Sequence, residues 1–226
     1  MLQDLIHLLF PKSCPGCSIL LLTHESLLCT ACRAALPFTN QHQSATNEAL
    51  GKFYGKVKIQ HASCLLYYAK QGIVSNLLHQ LKYNDQPNIA FALGQLYAEL
   101  LADDHAFPSV DYIVPIPMHF KKLKQRGYNQ VDGFASALAQ HFQVPIHPSV
   151  LIKVEQTSSQ TTKSFQERIK SKPTVFQLQS TPDLAGKHFL LLDDILTTGS
   201  TLETCARLLL QIPDSKVSIL CLAHTK

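Results

Sequence analysis

The 226-residue sequence has no stretch approaching the ~20 consecutive apolar residues that a membrane-spanning helix requires, so it offers no transmembrane segment. It also lacks low-complexity tracts and any Gly-x-x-x-x-Gly-Lys-Ser/Thr string, which excludes a P-loop for nucleoside triphosphates. Charge of one sign is in short supply: 20 Lys and Arg against 16 Asp and Glu leave a net charge of only +4. That excess falls short of the electrostatic footprint of a dedicated nucleic-acid binder. Met1–Phe10 lacks the basic start of a signal peptide; with Asp4 and His7 among apolar residues it reads as a short amphipathic helix. What the chain does have is 46% hydrophobic residues, enough for a full-sized core. Its length suits one main domain with a small appendage. Its seven cysteines are an odd number, and Cys64, Cys205 and Cys221 lie in apolar stretches where they read as reduced core residues. That usage points to a cytoplasmic protein.

The strongest functional signal is residues 189–201, Phe-Leu-Leu-Leu-Asp-Asp-Ile-Leu-Thr-Thr-Gly-Ser-Thr. Phe189 to Leu192 is an apolar run too short for a helix and suited to a buried strand. Asp193 and Asp194 fall where that strand would leave the sheet, with both side chains expected to face solvent. Thr197, Thr198, Gly199, Ser200 and Thr201 make a loop of hydroxyls around a glycine. A helix is expected from Thr201 to Leu210, because Ser200 and Glu203 have capping-box spacing and Leu202, Cys205, Ala206 and Leu209 share one face. This order suits a phosphorylated sugar. Backbone N–H groups and the helix dipole attract phosphate, hydroxyls saturate its oxygens, and Gly199 lets the backbone come close. Carboxylates accept hydrogen bonds only, which matches a pair of ribose hydroxyls. Each part alone has a plainer reading, as a solvated Asp-Asp turn or a simple helix cap. Assembled, they resemble the phosphoribosyl pyrophosphate (PRPP) motif of type I phosphoribosyltransferases. The resemblance implies that Asp193 and Asp194 hold the ribose 2′ and 3′ hydroxyls while Thr197 to Thr201 cradle the 5′-phosphate.

A second signal stands near the other end. Cys14-Pro-Gly-Cys17 and Cys29-Thr-Ala-Cys32 are two Cys-x-x-Cys knuckles. Four thiolates at this spacing close a tetrahedral structural zinc site with no open position for catalysis. Disulfides would instead fit an exported protein, and a single Cys-x-x-Cys could be a thioredoxin-like redox pair, though that needs a βαβ context absent here. The doubled motif favours zinc.

Along the chain, residues 1–38 form the N-terminal helix and zinc-ribbon-like module. The polar stretch Thr39 to Asn47, with nothing to bury, places a linker at 39–50, and 51–226 forms the main domain. Strands are expected at Ala62–Ala69, Asp111–Pro117, Phe189–Leu192 and Val217–Leu222. Helices are expected at Ile73–Leu81, Ile89–Leu101 and Val131–His141, with a basic loop at His119–Arg126 and a polar stretch from Glu155 to Lys172. Alternating β and α units give an α/β fold: a parallel sheet with helices on both faces. Ligands of such sheets bind beyond the carboxyl ends of the strands.

The basic loop places Lys121, Lys122, Lys124 and Arg126 just past a strand end, where a pyrophosphate needs cations. A patch at Lys52, Lys56 and Lys58, interleaved with Phe53 and Tyr54, suits single-stranded nucleic acid, or else is a solvated strand edge. Leu81-Lys82-Tyr83, Val114-Pro-Ile-Pro117, Arg126-Gly-Tyr-Asn-Gln130 and Asp193–Gly199 occur in one order behind the cysteine knuckles. Together they resemble, over essentially the whole chain, the ComF family of competence-associated, phosphoribosyltransferase-like proteins, including its ComFC and GntX-type members. The resemblance implies a type I phosphoribosyltransferase-like domain that binds PRPP with Mg²⁺. It also implies that Lys82, Arg126, Lys163 and Arg168 are pyrophosphate-binding candidates. The role implied is in natural transformation, on incoming single-stranded DNA in the cytoplasm, beside other DNA-uptake or recombination proteins. Any chemistry would be displacement of pyrophosphate at ribose C1. A salvage phosphoribosyltransferase acting on a free base and a non-catalytic single-strand-binding module are the alternatives. Between the two halves of the site the family usually carries Arg-x-Arg-x-x-Thr-x-x-Gln, then an Arg and an Asn. Thr157, Gln160 and Arg168 match, whereas Lys153, Glu155 and Ser171 depart.

Overall fold

The computed structural model describes residues 12–83, 86–102, 107–154, 176–179 and 183–226. The expected helix at Met1–Phe10 and the stretch from Glu155 to Lys172, with Lys163, Arg168 and Ser171, lie outside the described residues. The described residues form six strands: β1 His61–Tyr68, β2 Tyr112–Pro115, β3 Leu151–Lys153, β4 Phe176–Leu178, β5 His188–Leu196 and β6 Lys216–Thr225. Four of them make one parallel sheet in the order β1-β6-β5-β2. β3 and β4 pair as a separate antiparallel ribbon.

The sheet is covered on both faces because its central strands are apolar on both, with side chains alternating from one face to the other. Leu190 and Leu192 of β5 enter the cluster that also holds Leu77, Leu81, Leu93, Tyr97, Phe134 and Leu138. These come from the helices Ile73–Tyr83, Asn88–Ala102 and Asp132–Phe142, whose apolar residues recur at three- and four-residue spacing. Gly94 lets two of these helices close up, since a Cβ there would stand 2.8 Å from the Cβ of Ala137. Phe189 and Leu191 enter the opposite cluster, with Leu202, Cys205, Ala206 and Leu209 of the Ser200–Leu209 helix. Each fully buried Leu or Phe contributes about 1.5–3 kcal/mol, so these two clusters hold the fold.

Several local expectations need correction. Phe120–Arg126, read as part of a basic loop, is a helix. β5 does not end at Leu192 but continues through the two acids to Leu196. The stretch from Thr39 to Asn47, read as having nothing to bury, contains the buried side chains of Gln41 and His42. Gln41 Oε1 accepts the Cys64 N–H at 3.1 Å, and Gln41 Nε2 lies 2.9 Å from His224 Nδ1. Pro37 to Thr39, at the start of this segment and just ahead of it, cover the open edge of β1: Tyr67 N–H donates to Pro37 O at 2.8 Å and Thr39 N–H to Leu65 O at 3.0 Å. Polar side chains bury here by satisfying backbone groups, which also protects the sheet edge.

The cysteine module sits on the start of the Ile73–Tyr83 helix. Asn76 Nδ2 donates to Gly16 O at 2.8 Å, and Ile73 packs against the cysteine cluster.

Candidate functional site

The acids lie inside β5, so strand geometry sends them in opposite directions. Asp194 follows the even-numbered face of Leu190 and Leu192, towards the Ile73–Tyr83 helix, whose last turn presents Lys82. Lys82 Nζ is 2.5 Å from Asp194 Oδ2, with 27% and 6% of the two side chains exposed. The expectation that both acids point to solvent is therefore wrong for Asp194, which is buried against a cation. Asp193 follows the odd-numbered face and borders a cavity of about 280 Å³ together with Ile116, Pro117, Asn129, Lys153 and Thr201. Its Oδ1 accepts the Asp194 N–H at 2.8 Å. Burial, and then the neighbouring charge of Asp194, push the Asp193 carboxyl up to about 8, against an opposing pull from Lys82. Any ligand that brings hydroxyl donors or a cation to a carboxyl held this way favours its ionised form.

Asp193 also borders a recess of about 40 Å³ formed with Thr197, Gly199, Ser200 and Thr201. Its floor is the start of the Ser200–Leu209 helix, whose first N–H groups lack helical acceptors. Ser200 N–H meets Thr198 Oγ1 at 3.4 Å, and the Thr198 hydroxyl donates to Ser200 Oγ at 3.2 Å. The capping-box expectation fails: Gly199 is the cap, without a side-chain hydrogen bond, and Glu203 pairs with Arg207 at 3.0 Å. Gly199 has φ +79°, and a Cβ on it would stand 3.2 Å from the Phe53 ring. Phe53, read from sequence as part of an aromatic and basic surface patch, is instead buried beneath the loop. Of its neighbours, Lys52 is half-buried while Lys56, Lys58 and Tyr54 are exposed.

The cations converge from separate elements. Arg126, at the end of the Phe120–Arg126 helix, donates to Gln130 and lies 5.7 Å from the Tyr83 ring centroid. Asn129 Nδ2 donates to Ile116 O at 2.9 Å, which fixes the Arg-Gly-Tyr-Asn-Gln turn against β2. Lys82, Lys122, Arg126 and Lys153 all border the cavity that contains Asp193. Lys153, which stands where the family pattern has an Arg, thus supplies a cation from the ribbon, 5.0 Å above the Phe176 ring. Three parts of this arrangement were missed in the sequence: the ion pair of Lys82 with Asp194, the buttress Phe53, and the exposed ring of Tyr83. Only the first left a signal, the alternation along an apolar strand.

The four knuckle cysteines meet. Their sulfurs all lie within 4.8 Å of one another, and Cys17 Sγ is 3.6 Å from Cys29 Sγ. A tetrahedron with Zn–S bonds of about 2.3 Å has edges of about 3.8 Å, so the cluster is compatible with structural zinc. Cys29 N–H points at Cys14 Sγ and Cys32 N–H at Cys29 Sγ, each at 3.4 Å, as thiolates require. Burial raises the Cys14 thiol, but the N–H groups of Cys29, Gly16 and Cys17 outweigh it and bring the thiol down to about 7. None of the seven cysteines is in a disulfide. No described helix is long and apolar enough to cross a membrane.

Residues 133–226 match the model of the phosphoribosyl transferase domain family. The chain is 31% identical over 157 residues to the DNA utilization protein YhgH of Escherichia coli K12, covering 67% of each chain. It is 27% identical over 155 residues to competence protein F of Haemophilus influenzae, covering 67% of this chain and 68% of that one. With competence protein ComFC of Bacillus subtilis it shares 26% identity over 145 residues, 64% of this chain and 56% of the relative. The acid pair, the hydroxyl loop and the four-cysteine module thus stand in a chain that belongs to the ComF/YhgH family and matches the phosphoribosyl transferase domain over residues 133–226.

Proposed function

We propose that this protein binds PRPP together with Mg²⁺ in the cleft at the carboxyl ends of β5 and β2, and acts in the cytoplasm on incoming single-stranded DNA during natural transformation. The observation that carries the reading is the position of Asp193. It forms a wall of both the small recess of Thr197, Gly199, Ser200 and Thr201 and the cation-lined cavity of Lys82, Lys122, Arg126 and Lys153. A sugar carrying a phosphate at one end and a pyrophosphate at the other needs those three features in that order. The recess takes the 5′-phosphate, Asp193 accepts from the ribose hydroxyls, and the cations face the pyrophosphate. Lys163 and Arg168 are further pyrophosphate partners on this reading. Asp194 acts from behind, paired with Lys82. Mg²⁺ neutralises part of the pyrophosphate charge and is held mainly by the ligand's own oxygens. Displacement at ribose C1 breaks the C1–O bond, with pyrophosphate leaving as the nucleophile's lone pair forms the new bond.

Zinc at Cys14, Cys17, Cys29 and Cys32 is structural on this reading, closing the module that docks on the Ile73–Tyr83 helix. The transformation role is supported by the relatives, one described by DNA utilization and others by competence. The exposed Lys56, Lys58 and Tyr54 are the single-strand contacts consistent with that role. A test is ligand-induced thermal stabilisation. PRPP with Mg²⁺ should raise the melting temperature in a saturable way, more than equal concentrations of ribose 5-phosphate or pyrophosphate. Equal shifts for all three would show an unspecific anion site and defeat the assignment. A host strain carrying Asp193→Asn should also transform poorly; normal transformation by a variant shown not to bind PRPP would separate the ligand from the role.

A further inference from the structure

Next to the cavity that borders Asp193 lies a second one of about 450 Å³, lined by Lys82, Tyr83, Lys122, Gln125, Arg126 and Tyr128. Lys82, Tyr83, Lys122 and Arg126 are common to both, whereas neither Asp193 nor the hydroxyl loop borders the second. PRPP in the first cavity leaves this neighbour for another molecule. We propose that the second cavity is a subsite for a nucleotide, an aromatic base that carries its own phosphate, bound beside PRPP. This assigns the acceptor class and in that respect rests on the PRPP reading; the binding of a nucleotide does not.

Charge argues for the phosphate. Among the described residues, three cations and no carboxylate line the cavity. Lys82 is committed to Asp194; Lys122 and Arg126 stand on the wall shared by the two cavities, where they face the pyrophosphate on one side and the nucleotide's phosphate on the other. Arg126 is held in orientation by Gln130 and by the Tyr83 ring, so its remaining N–H groups form a fixed fork for phosphate oxygens. A neutral free base gains little from such cations.

The ring argues for the base. Tyr83 is 69% exposed, yet it is held, with Arg126 on it and His79 one turn earlier at a centroid distance of 4.9 Å. An aromatic face next to a guanidinium suits a stacked base, and neither phosphate nor pyrophosphate has a use for it. Gln125 offers an amide oxygen and an NH₂ group, the donor and acceptor pair that a base edge meets. The Tyr128 hydroxyl is tied to Leu81 O, which fixes one wall. The volume lies within the range of about 300–1,000 Å³ typical of small-molecule sites.

The same chemistry belongs to a free mononucleotide and to the phosphorylated end of a strand. Calorimetry on the full zinc-loaded chain separates them, using deoxyadenosine monophosphate, deoxyadenosine, adenine, inorganic phosphate and a 5′-phosphorylated oligodeoxyadenylate. Each is titrated with and without saturating PRPP and Mg²⁺. The expected result is at least tenfold tighter binding of the monophosphate than of deoxyadenosine, adenine or phosphate, retained within about threefold when PRPP is present. Tyr83→Ala and Gln125→Ala should each weaken it about tenfold, and Gln125→Ala should leave PRPP affinity within about threefold. Tenfold preference for the oligonucleotide assigns the subsite to a strand end, and parity assigns it to a mononucleotide. Competition between the monophosphate and PRPP would place both in one site and overturn the proposal. So would equal affinity for adenine, or unchanged affinity in both variants. Failure of PRPP to bind, with a Tyr83-dependent monophosphate site intact, would sink the donor assignment alone.

Discussion

Replacing Lys82 with Met removes the cation facing Asp194 while keeping most of the stem that packs in the cleft wall. Asp194 is then a carboxylate with 6% of its side chain exposed and no opposite charge at contact distance among the described residues. Breaking a fully buried pair costs about 3–5 kcal/mol. Because 27% of the Lys82 side chain reaches water, solvent screening reduces the expected loss to about 2–3 kcal/mol. At about 2–4 °C per kcal/mol for a chain of this size, Lys82→Met should melt about 4–12 °C lower. The deficit should grow with pH. Lys82 opposes the rise of the Asp193 carboxyl, so without it Asp193 holds its proton more firmly. Adding Asp194→Asn removes the stranded charge with little change of shape and should recover at least half the loss. Thermal and urea melts of metal-replete protein at pH 5, 7 and 8.5 measure all of this. A Lys82→Met protein as stable as wild type, or no rescue on adding Asp194→Asn, would refute a buried ion pair behind the site.

Other consequences follow from the same geometry. The Asp193 carboxyl, raised to about 8 from an ordinary value of 3.8, keeps its proton in the folded chain after the unfolded chain has lost it. The group therefore lowers stability progressively as pH rises from about 4 to about 8, and Asp193→Asn should gain on wild type across that window; a pH-independent difference in melting temperature would contradict this. Gly199→Ala forces a side chain into a left-handed conformation, a cost of about 1–2 kcal/mol, and sets its Cβ against Phe53. It should weaken PRPP binding, with partial recovery on adding Phe53→Leu, read by titration. Purified protein should hold about one zinc per chain, lost in Cys14→Ser; full zinc occupancy in that variant would remove the assignment. Arg126→Ala should weaken PRPP binding by about 1.5–3 kcal/mol, the worth of a charge-assisted bond to phosphate, and unchanged affinity would exclude Arg126 from the pyrophosphate site.

Alternating apolar segments, with runs such as Phe189–Leu192 too short for helices, made the parallel sheet and its two helical layers legible in the sequence. The cysteine knuckles were legible as well, because ligand spacing within a knuckle is local. Less was readable where long-range pairing decides. The acids looked like the end of a strand because an apolar run stops at Leu192, yet pairing with β6 carries β5 on to Leu196. That extension, through strand parity, gives Asp193 and Asp194 different surroundings. Gln41 and His42 looked solvated because their burial depends on β1 and on His224, far away in sequence. Phe53 looked like a surface aromatic because the loop it supports lies about 150 residues later, a separation that no local pattern encodes.

On the proposed reading Asp193, and not its neighbour, meets the sugar. Calorimetric titration of wild-type, Asp193→Asn and Asp194→Asn proteins with PRPP and Mg²⁺ at pH 7.5 tests it directly. Binding should be saturable at one site per chain, weakened at least tenfold by Asp193→Asn and only a few-fold by Asp194→Asn. Equal losses in the two variants, or wild-type affinity in Asp193→Asn, would contradict it.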